Sequence, residues 1–207
     1  MLVLEKREVK VLKATNRIYV NTLTPNFYFK NKNKKIVNLK KHLCLLGFMG
    51  SGKSTIGKAL AERLGFSWVD SDSWIEEKQG RPISKIVSEK GWPAFRAMER
   101  EFAFEMNERA PMVISCGGGF PLDDENWQWI SSNCTSIYLR VDKDVLLNRL
   151  FDETAGRPLV KDMSRTELIA FIDEKLTERE PVYAKADWVI DANGTVQETI
   201  QRIQELI

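Results

Sequence analysis

Between residues 47 and 55 the chain reads Gly47-Phe48-Met49-Gly50-Ser51-Gly52-Lys53-Ser54-Thr55, which satisfies the spacing G-x-x-x-x-G-K-[ST]. Glycines at 47, 50 and 52 let successive backbone N–H groups turn inward around phosphate oxygens. A helix opening near Lys53 adds the positive end of its dipole. Lys53 is then within reach of the β- and γ-phosphates of a nucleoside triphosphate. The Ser54 hydroxyl is the natural protein ligand for Mg²⁺, an ion that keeps several waters and takes few protein oxygens. Gly50, Ser51, Gly52, Lys53, Ser54 and Thr55 form the candidate nucleotide-binding set. A chance glycine turn is the alternative, and the match falls where a true loop would, between an apolar run and an amphipathic stretch.

Three further groups have side chains or backbone suited to chemistry. Trp68-Val69-Asp70-Ser71-Asp72 sets two carboxylates two residues apart at the end of an apolar run. One can hold a water of a Mg²⁺ shell while the other orients, or takes a proton from, an acceptor hydroxyl. The competing reading makes Asp72 the N-cap of a helix over 73–78. Ser115-Cys116-Gly117-Gly118-Gly119 leaves bare backbone against which a small acceptor can lie, although a lone glycine run is often only a turn. Arg96, Arg157 and Arg179 supply planar forks suited to a carboxylate or a phosphate; the bland reading of each is a solvated surface charge.

Positioning these groups takes a parallel sheet. From residue 43 onward short apolar runs alternate with longer amphipathic stretches, which predicts an α/β fold with helices on both faces. Five parallel strands are expected at 43–46, 67–69, 112–116, 136–141 and 188–190. Helices are expected at 53–64, closed by Gly65, at 93–109, stopped before Pro111, and at 195–207. The glycine-lysine loop, the paired aspartates and the glycine run then all fall at strand carboxyl ends, where open parallel sheets bind ligands.

The same residues resemble the shikimate kinase family. Its pattern is G-x-M-G-x-G-K-[ST], D-[ST]-D, F-R-x-x-E, G-G-G, R-P-L and a late R-x-x-x-Y. Here these are the loop at 47–54, Asp70-Ser71-Asp72, Phe95-Arg96-Ala97-Met98-Glu99, glycines 117–119, Arg157-Pro158-Leu159 and Arg179 to Tyr183, all in order. The resemblance covers residues 43–207. It implies a three-layer α/β/α P-loop kinase fold, nucleoside-monophosphate-kinase-like, with a mobile lid at about 151–165, a segment that mixes charge with Gly156 and Pro158. It implies ATP-dependent phosphorylation of the 3-hydroxyl of shikimate, with Mg²⁺, on the chorismate route to aromatic amino acids. By that likeness Asp72 binds the acceptor hydroxyls and is the candidate base, and Asp70 supports the metal through water. Arg96 and Arg179 clamp the shikimate carboxylate, the backbone of Gly117, Gly118 and Gly119 lines the acceptor, and Lys53 and Arg157 stabilise the moving phosphoryl group. Two features depart from the pattern. Arg149 is the nearest counterpart of an arginine that stacks near adenine, at uncertain spacing, and Phe120-Pro121 is bulkier than the family's residues, so a reshaped acceptor pocket is expected. A gluconate-kinase-like or nucleotide-kinase-like enzyme would share the phosphate loop, and a non-catalytic module would lack Lys53, Asp72 or Arg157.

Composition narrows the remaining classes. The chain has 207 residues, 43% hydrophobic and 29% charged, ordinary values for a folded chain. One histidine, His42, excludes an H-E-x-x-H zinc site and a histidine-centred triad. Cys44, Cys116 and Cys134 contain no C-x-x-C pair, so a reducing compartment is expected, with Cys116 a core thiol. No apolar run approaches the roughly 18 residues that span a bilayer. The formal charge of +2 hides an asymmetry: residues 1–42 carry 11 Lys and Arg against 2 acidic residues, a net +9, and the remainder is −7. That basic extension shows only short β-prone patches such as Arg17-Ile18-Tyr19-Val20, lacks a signal-peptide core and any serine, and is expected to be mobile, outside the domain at 43–207. Basic charge without a recognition motif supports only salt-dependent binding, so no specific nucleic-acid partner is expected. A cytoplasmic monomer is expected, with its tryptophans mainly in packing roles.

Overall fold

The computed structural model describes residues 27–30, 36–152, 160 and 163–207. Two strands, β1 (Phe27–Lys30) and β2 (Ile36–Leu39), pair antiparallel. The remaining strands, β3 (His42–Leu46), β4 (Ser67–Asp70), β5 (Met112–Ser115), β6 (Cys134–Arg140) and β7 (Trp188–Asp191), build one parallel sheet in the order β4-β5-β3-β6-β7. All five expected strands are present, with ends moved by one or two residues. The sheet starts at His42 rather than Leu43, and Leu39 is already buried in the core.

Parallel strands covered on both faces must be apolar throughout. Side chains of β3 alternate between the two faces. Leu43 and Leu45 enter a cluster with Ile56, Leu60, Ile172 and Ile200, from helices α1 (Lys53–Leu64), α6 (Arg165–Tyr183) and α7 (Val196–Leu206). Cys44 and Leu46 enter a second cluster with Phe102, Met106 and Ile130, from α3 (Ile83–Met106) and α4 (Asp124–Asn133). The result is the three-layer α/β/α fold expected. Cys116, 1% exposed, is a core thiol as expected. Trp68, Trp74, Trp127 and Trp188 pack on core clusters and Trp129 is buried, whereas Trp92 stands 50% exposed.

Helix α1 has the predicted bounds, between Gly52 and Gly65, both in the left-handed region. Thr195, the expected first residue of the last helix, instead caps it from outside, in a capping box with Glu198. The expected helix at 93–109 is the second part of α3, which starts ten residues earlier, at Ile83, and breaks at Gly91 (φ 78°) before Pro93. Proline lacks the N–H that would continue the first part and fits the first turn of the second. Helix α5 (Lys143–Asp152) and α6 flank the expected lid. The ends of that segment meet, with the Arg165 guanidinium 5.6 Å from the Phe151 ring. Residues 153–159, 161 and 162, and with them Arg157, lie outside the described residues.

Candidate active site

The crossover leaving β3 runs through α1 to β4 on one side of the sheet, while the one leaving its neighbour β5 runs back past β3 to β6, so the connections diverge at the carboxyl ends of β3 and β5 and open a crevice. The glycine-lysine loop fills that crevice. Gly50 (φ 80°) and Gly52 (φ 87°) both take left-handed backbone that other residues rarely adopt, and no side chain caps the first turn of α1. Lys53 Nζ donates to Gly47 O at 2.8 Å and Phe48 O at 2.9 Å, folding the ammonium back over the loop. Ser115 Oγ, at the end of β5, donates to Lys53 O at 2.9 Å and receives Trp68 Nε1 at 3.0 Å, which fastens the start of α1 to β4 and β5.

The two aspartates have different jobs, and the N-cap reading of Asp72 is corrected. The helix after β4, α2, runs Ser71–Gln79, and Asp70 caps it: Asp70 Oδ1 accepts from the backbone N–H of Asp72 at 3.1 Å and Ser73 at 3.3 Å. Extended φ/ψ at Asp70, the last residue of β4, is what an N-cap requires. The other oxygen, Asp70 Oδ2, accepts from Ser54 Oγ at 2.7 Å. A hydroxyl and a carboxylate oxygen in contact beside the phosphate loop are hard donors that fit Mg²⁺. Asp72 is left to face the glycine run.

That run is a floor with the charged groups packed on it. A β-carbon at Gly117 would overlap Asp72 Oδ1; one at Gly118 would lie 3.1 Å from a terminal nitrogen of Arg179, and one at Gly119 2.6 Å from a terminal nitrogen of Arg96. Gly117 N donates to Ser71 Oγ at 2.8 Å, and Tyr183 Oη donates to Gly118 O at 2.6 Å. Asp72, Arg96, Arg179 and glycines 117–119 therefore converge, as the sequence predicts. The Arg179 guanidinium lies 5.7 Å from the ring of Phe48 in the phosphate loop, so this pocket and the phosphate site adjoin.

Burial sets the protonation of the pocket. The Asp72 carboxyl is pushed up to about 6, first by loss of solvent and then by the Asp70 charge, with Lys53 opposing. Glu99, 1% exposed, is pushed up to about 7 by burial, against the pull of Arg96. Arg96 donates to Glu99 at 2.5 Å, and its guanidinium lies 5.7 Å from each of the Trp92 and Phe95 rings. Arg179 Nε is buried with no partner among the described residues. An unspent guanidinium donor beside a second, oriented guanidinium has the chemistry to take a carboxylate.

Glu99 and Tyr183 stand in the motifs noted in the sequence, but their roles as holders of Arg96 and Gly118 emerge only here. For Glu99 the signal was its i, i+3 spacing from Arg96 on one helix face. Phe120 corrects another expectation. It is 0% exposed, with its ring 5.9 Å from Phe102 and 6.3 Å from Trp129, so its bulk fills the core and does not reshape the pocket. Arg149, on α5, donates to Gly50 O at 3.2 Å and to Ala192 O at 3.2 Å, bridging the phosphate loop to the loop after β7.

Comparison with known proteins bears on the whole site. The shikimate kinase family model matches residues 49–207. A curated shikimate kinase of Parabacteroides distasonis is 39% identical over 159 residues, 77% of this chain and 92% of its own. Among solved structures, a shikimate kinase from Bacteroides thetaiotaomicron superposes with a TM-score of 0.77 at 34% identity, over 80% of this chain and 97% of that one. One from Acinetobacter baumannii, in complex with shikimate, gives 0.73 at 30% identity over 81% and 92%.

Proposed function

The chain belongs to the shikimate kinase family, and we propose from that premise how its own residues carry the γ-phosphoryl group of ATP to the 3-hydroxyl of shikimate. ATP-dependent phosphorylation of shikimate is the family's reaction. The observation that carries the division of labour is the convergence of Asp72, Arg96 and Arg179 on the glycine floor beside the phosphate loop.

Arg96 and Arg179 hold the shikimate carboxylate. The support is the pair of guanidinium groups flanking glycines 118 and 119, one oriented by Glu99 and the other with a buried Nε that has no partner among the described residues. With the carboxylate fixed, the backbone of Gly117, Gly118 and Gly119 and the carboxylate of Asp72 take the ring hydroxyls. Asp72 accepts a hydrogen bond from the 3-hydroxyl and aims its oxygen at phosphorus. As the O–P bond forms and the bond to ADP breaks, that proton passes to Asp72, whose elevated affinity for protons suits the exchange near neutral pH.

Glycines 50 and 52, with the N–H groups of Ser51, Lys53, Ser54 and Thr55, hold the phosphates at the start of α1. Lys53 leaves the carbonyls of Gly47 and Phe48 for the β- and γ-oxygens, exchanging neutral acceptors for charged ones. Ser54 Oγ, and Asp70 through a water, would hold Mg²⁺, which when bound would supply positive charge against the phosphate oxygens. Arg157 is assigned to the transferring phosphoryl on the strength of its R-P-L motif. The kinase unit is the expected 43–207 with a short lead-in, since β3 opens at His42 and Leu39 is buried in its core, and the family match over 49–207 supports it. We place it in the cytoplasm with its co-substrate ATP, and as a monomer, as the resemblance to the family implies. No helix among the described residues is long and apolar enough to cross a membrane.

The test is ADP release from purified protein with Mg-ATP and shikimate, gluconate or no acceptor, with Asp72→Asn alongside. Turnover is expected with shikimate only, and loss of the proton acceptor is expected to lower kcat by about 10²- to 10⁴-fold. Equal kcat in Asp72→Asn would remove Asp72 from the transfer step; preference for gluconate would overturn the acceptor.

A further inference from the structure

Asn126, in the first turn of α4, is 0% exposed and takes no part in the transfer described above. Its side-chain Nδ2 donates to acceptors in both halves of the acceptor pocket. One is Phe120 O at 3.2 Å, in the single-turn helix Phe120–Leu122 directly after the glycine floor. The other is Glu99 Oε2 at 3.5 Å, the oxygen that also receives Arg96. The turn is tied to the floor in turn, because Phe120 N donates to Gly117 O at 3.0 Å and Leu122 N to Gly119 O at 3.1 Å. Asn126 itself is held from below. Its backbone N–H donates to Asp123 Oδ1 at 3.2 Å, while Asp123 Oδ2 accepts from Arg100 at 2.8 Å, one turn along α3 from Arg96. Asn126 Oδ1, however, has no partner among the described residues. An apolar residue of the same size would remove that oxygen but would also leave two buried acceptors, Phe120 O and Glu99, short of a donor. Its two donor contacts are what distinguish it from such a residue.

We propose that Asn126 is a positioning residue for the acceptor: by bridging Glu99 and Phe120 O it fixes the distance between the Arg96 guanidinium and the glycine floor, and so sets affinity for shikimate without entering phosphoryl transfer. The inference rests on the reading of Arg96 as a carboxylate clamp. Glu99 is faced by Arg96 on its own helix, by Asp72 from α2, by Asp123 from the loop before α4, and by Asn126. A hydrogen bond donated to a carboxylate favours the ionised form. Removing the amide therefore raises the pH at which Glu99 takes up a proton and releases Arg96.

Asn126→Ala and the nearly isosteric Asn126→Leu are compared with Arg96→Lys by steady-state kinetics over pH 5.5 to 8.5 and by thermal melting. Both Asn126 variants are expected to raise the shikimate KM about fivefold or more, to leave kcat and the ATP KM within about twofold, and to move the acid limb of kcat/KM for shikimate to higher pH. Asn126→Leu, which keeps the bulk but leaves Phe120 O and Glu99 without this donor, is expected to melt somewhat below the parent yet in one cooperative transition, which separates positioning from loss of fold. An unchanged shikimate KM and acid limb in Asn126→Leu, with Arg96→Lys impaired, overturns the proposal alone. An unchanged shikimate KM in Arg96→Lys overturns the clamp and the proposal with it. Parallel rises in both KM values overturn it as well, since they report a general collapse of the site.

Discussion

Replacing Arg96 by lysine keeps the charge and removes the plane. In the protein one terminal nitrogen of Arg96 is committed to Glu99 at 2.5 Å, and the other lies against Gly119 at the pocket floor. On the proposed assignment the guanidinium serves two carboxylates at once, Glu99 from the protein and one from the ligand. Lysine carries its donors on a single tetrahedral nitrogen. It satisfies the buried Glu99 or the ligand, but lacks the fork that spans both. Glu99 has first claim, because an uncompensated charge at 1% exposure costs more than a lost ligand contact. The substitution thus removes about one charge-assisted hydrogen bond to shikimate, roughly 1.5 to 3 kcal/mol, or about a 10- to 150-fold rise in the shikimate KM. The ATP KM is expected to stay within about twofold, because the proposed phosphate site is the loop at 47–55. The assay is coupled ADP release, varying each substrate at saturation of the other, with a melting curve to show that the Glu99 pair survives. Equal rises in both KM values, or an unchanged shikimate KM in a folded protein, would refute the carboxylate assignment.

Other outcomes test other parts of the site. Gly117→Ala drives a methyl into Asp72, and because a misplacement of about 1 Å costs about 10²-fold, kcat/KM for shikimate should fall by about that factor while the protein still melts cooperatively; unaltered turnover would mean that Asp72 does not act from its observed position. Ser54→Ala removes a hydroxyl that contacts Asp70 at 2.7 Å: the Mg²⁺ concentration for half-maximal rate should rise severalfold, and chelation should abolish turnover in both proteins, whereas an unchanged Mg²⁺ dependence would take Ser54 out of the metal shell. His42 is 0% exposed, with Nε2 on Met106 O at 3.1 Å and Nδ1 without a partner among the described residues, and burial holds its pKa down to about 4 from 6.5. The unfolded chain takes up that proton first, so this contribution to stability is full above pH 6.5 and is lost as pH falls toward 4, by up to about 3 kcal/mol. Urea midpoints at pH 7.5 and 4.5 should therefore fall less in His42→Gln than in the parent; an equal fall would assign the acid sensitivity elsewhere.

Much of this protein is legible in its sequence because the signals are local. The bounds of α1 follow from glycines at 52 and 65 around an amphipathic run. The strands follow from brief apolar stretches, since a strand buried on both faces has no polar side to show. The phosphate loop is a property of nine consecutive residues. Helix α6 is not among the three helices expected from the sequence, although its Ser164 to Glu167 capping box is a local signal for its start. What the tertiary structure decided concerns groups that meet across long separations. Asp70 and Asp72 look alike in sequence, and one caps α2 and contacts Ser54 while the other faces Gly117, because the chain turns from strand to helix between them. Arg179 reaches Gly118 from 61 residues away, and Phe120 turns its ring into the core against Phe102. Nor does any spacing announce that Glu99 and Asn126 meet behind Arg96. Periodicity tells which face of an element is apolar; it carries no record of which neighbour that face will meet. The pocket's charges, and their affinity for protons, come from that meeting and from the exclusion of water that accompanies it.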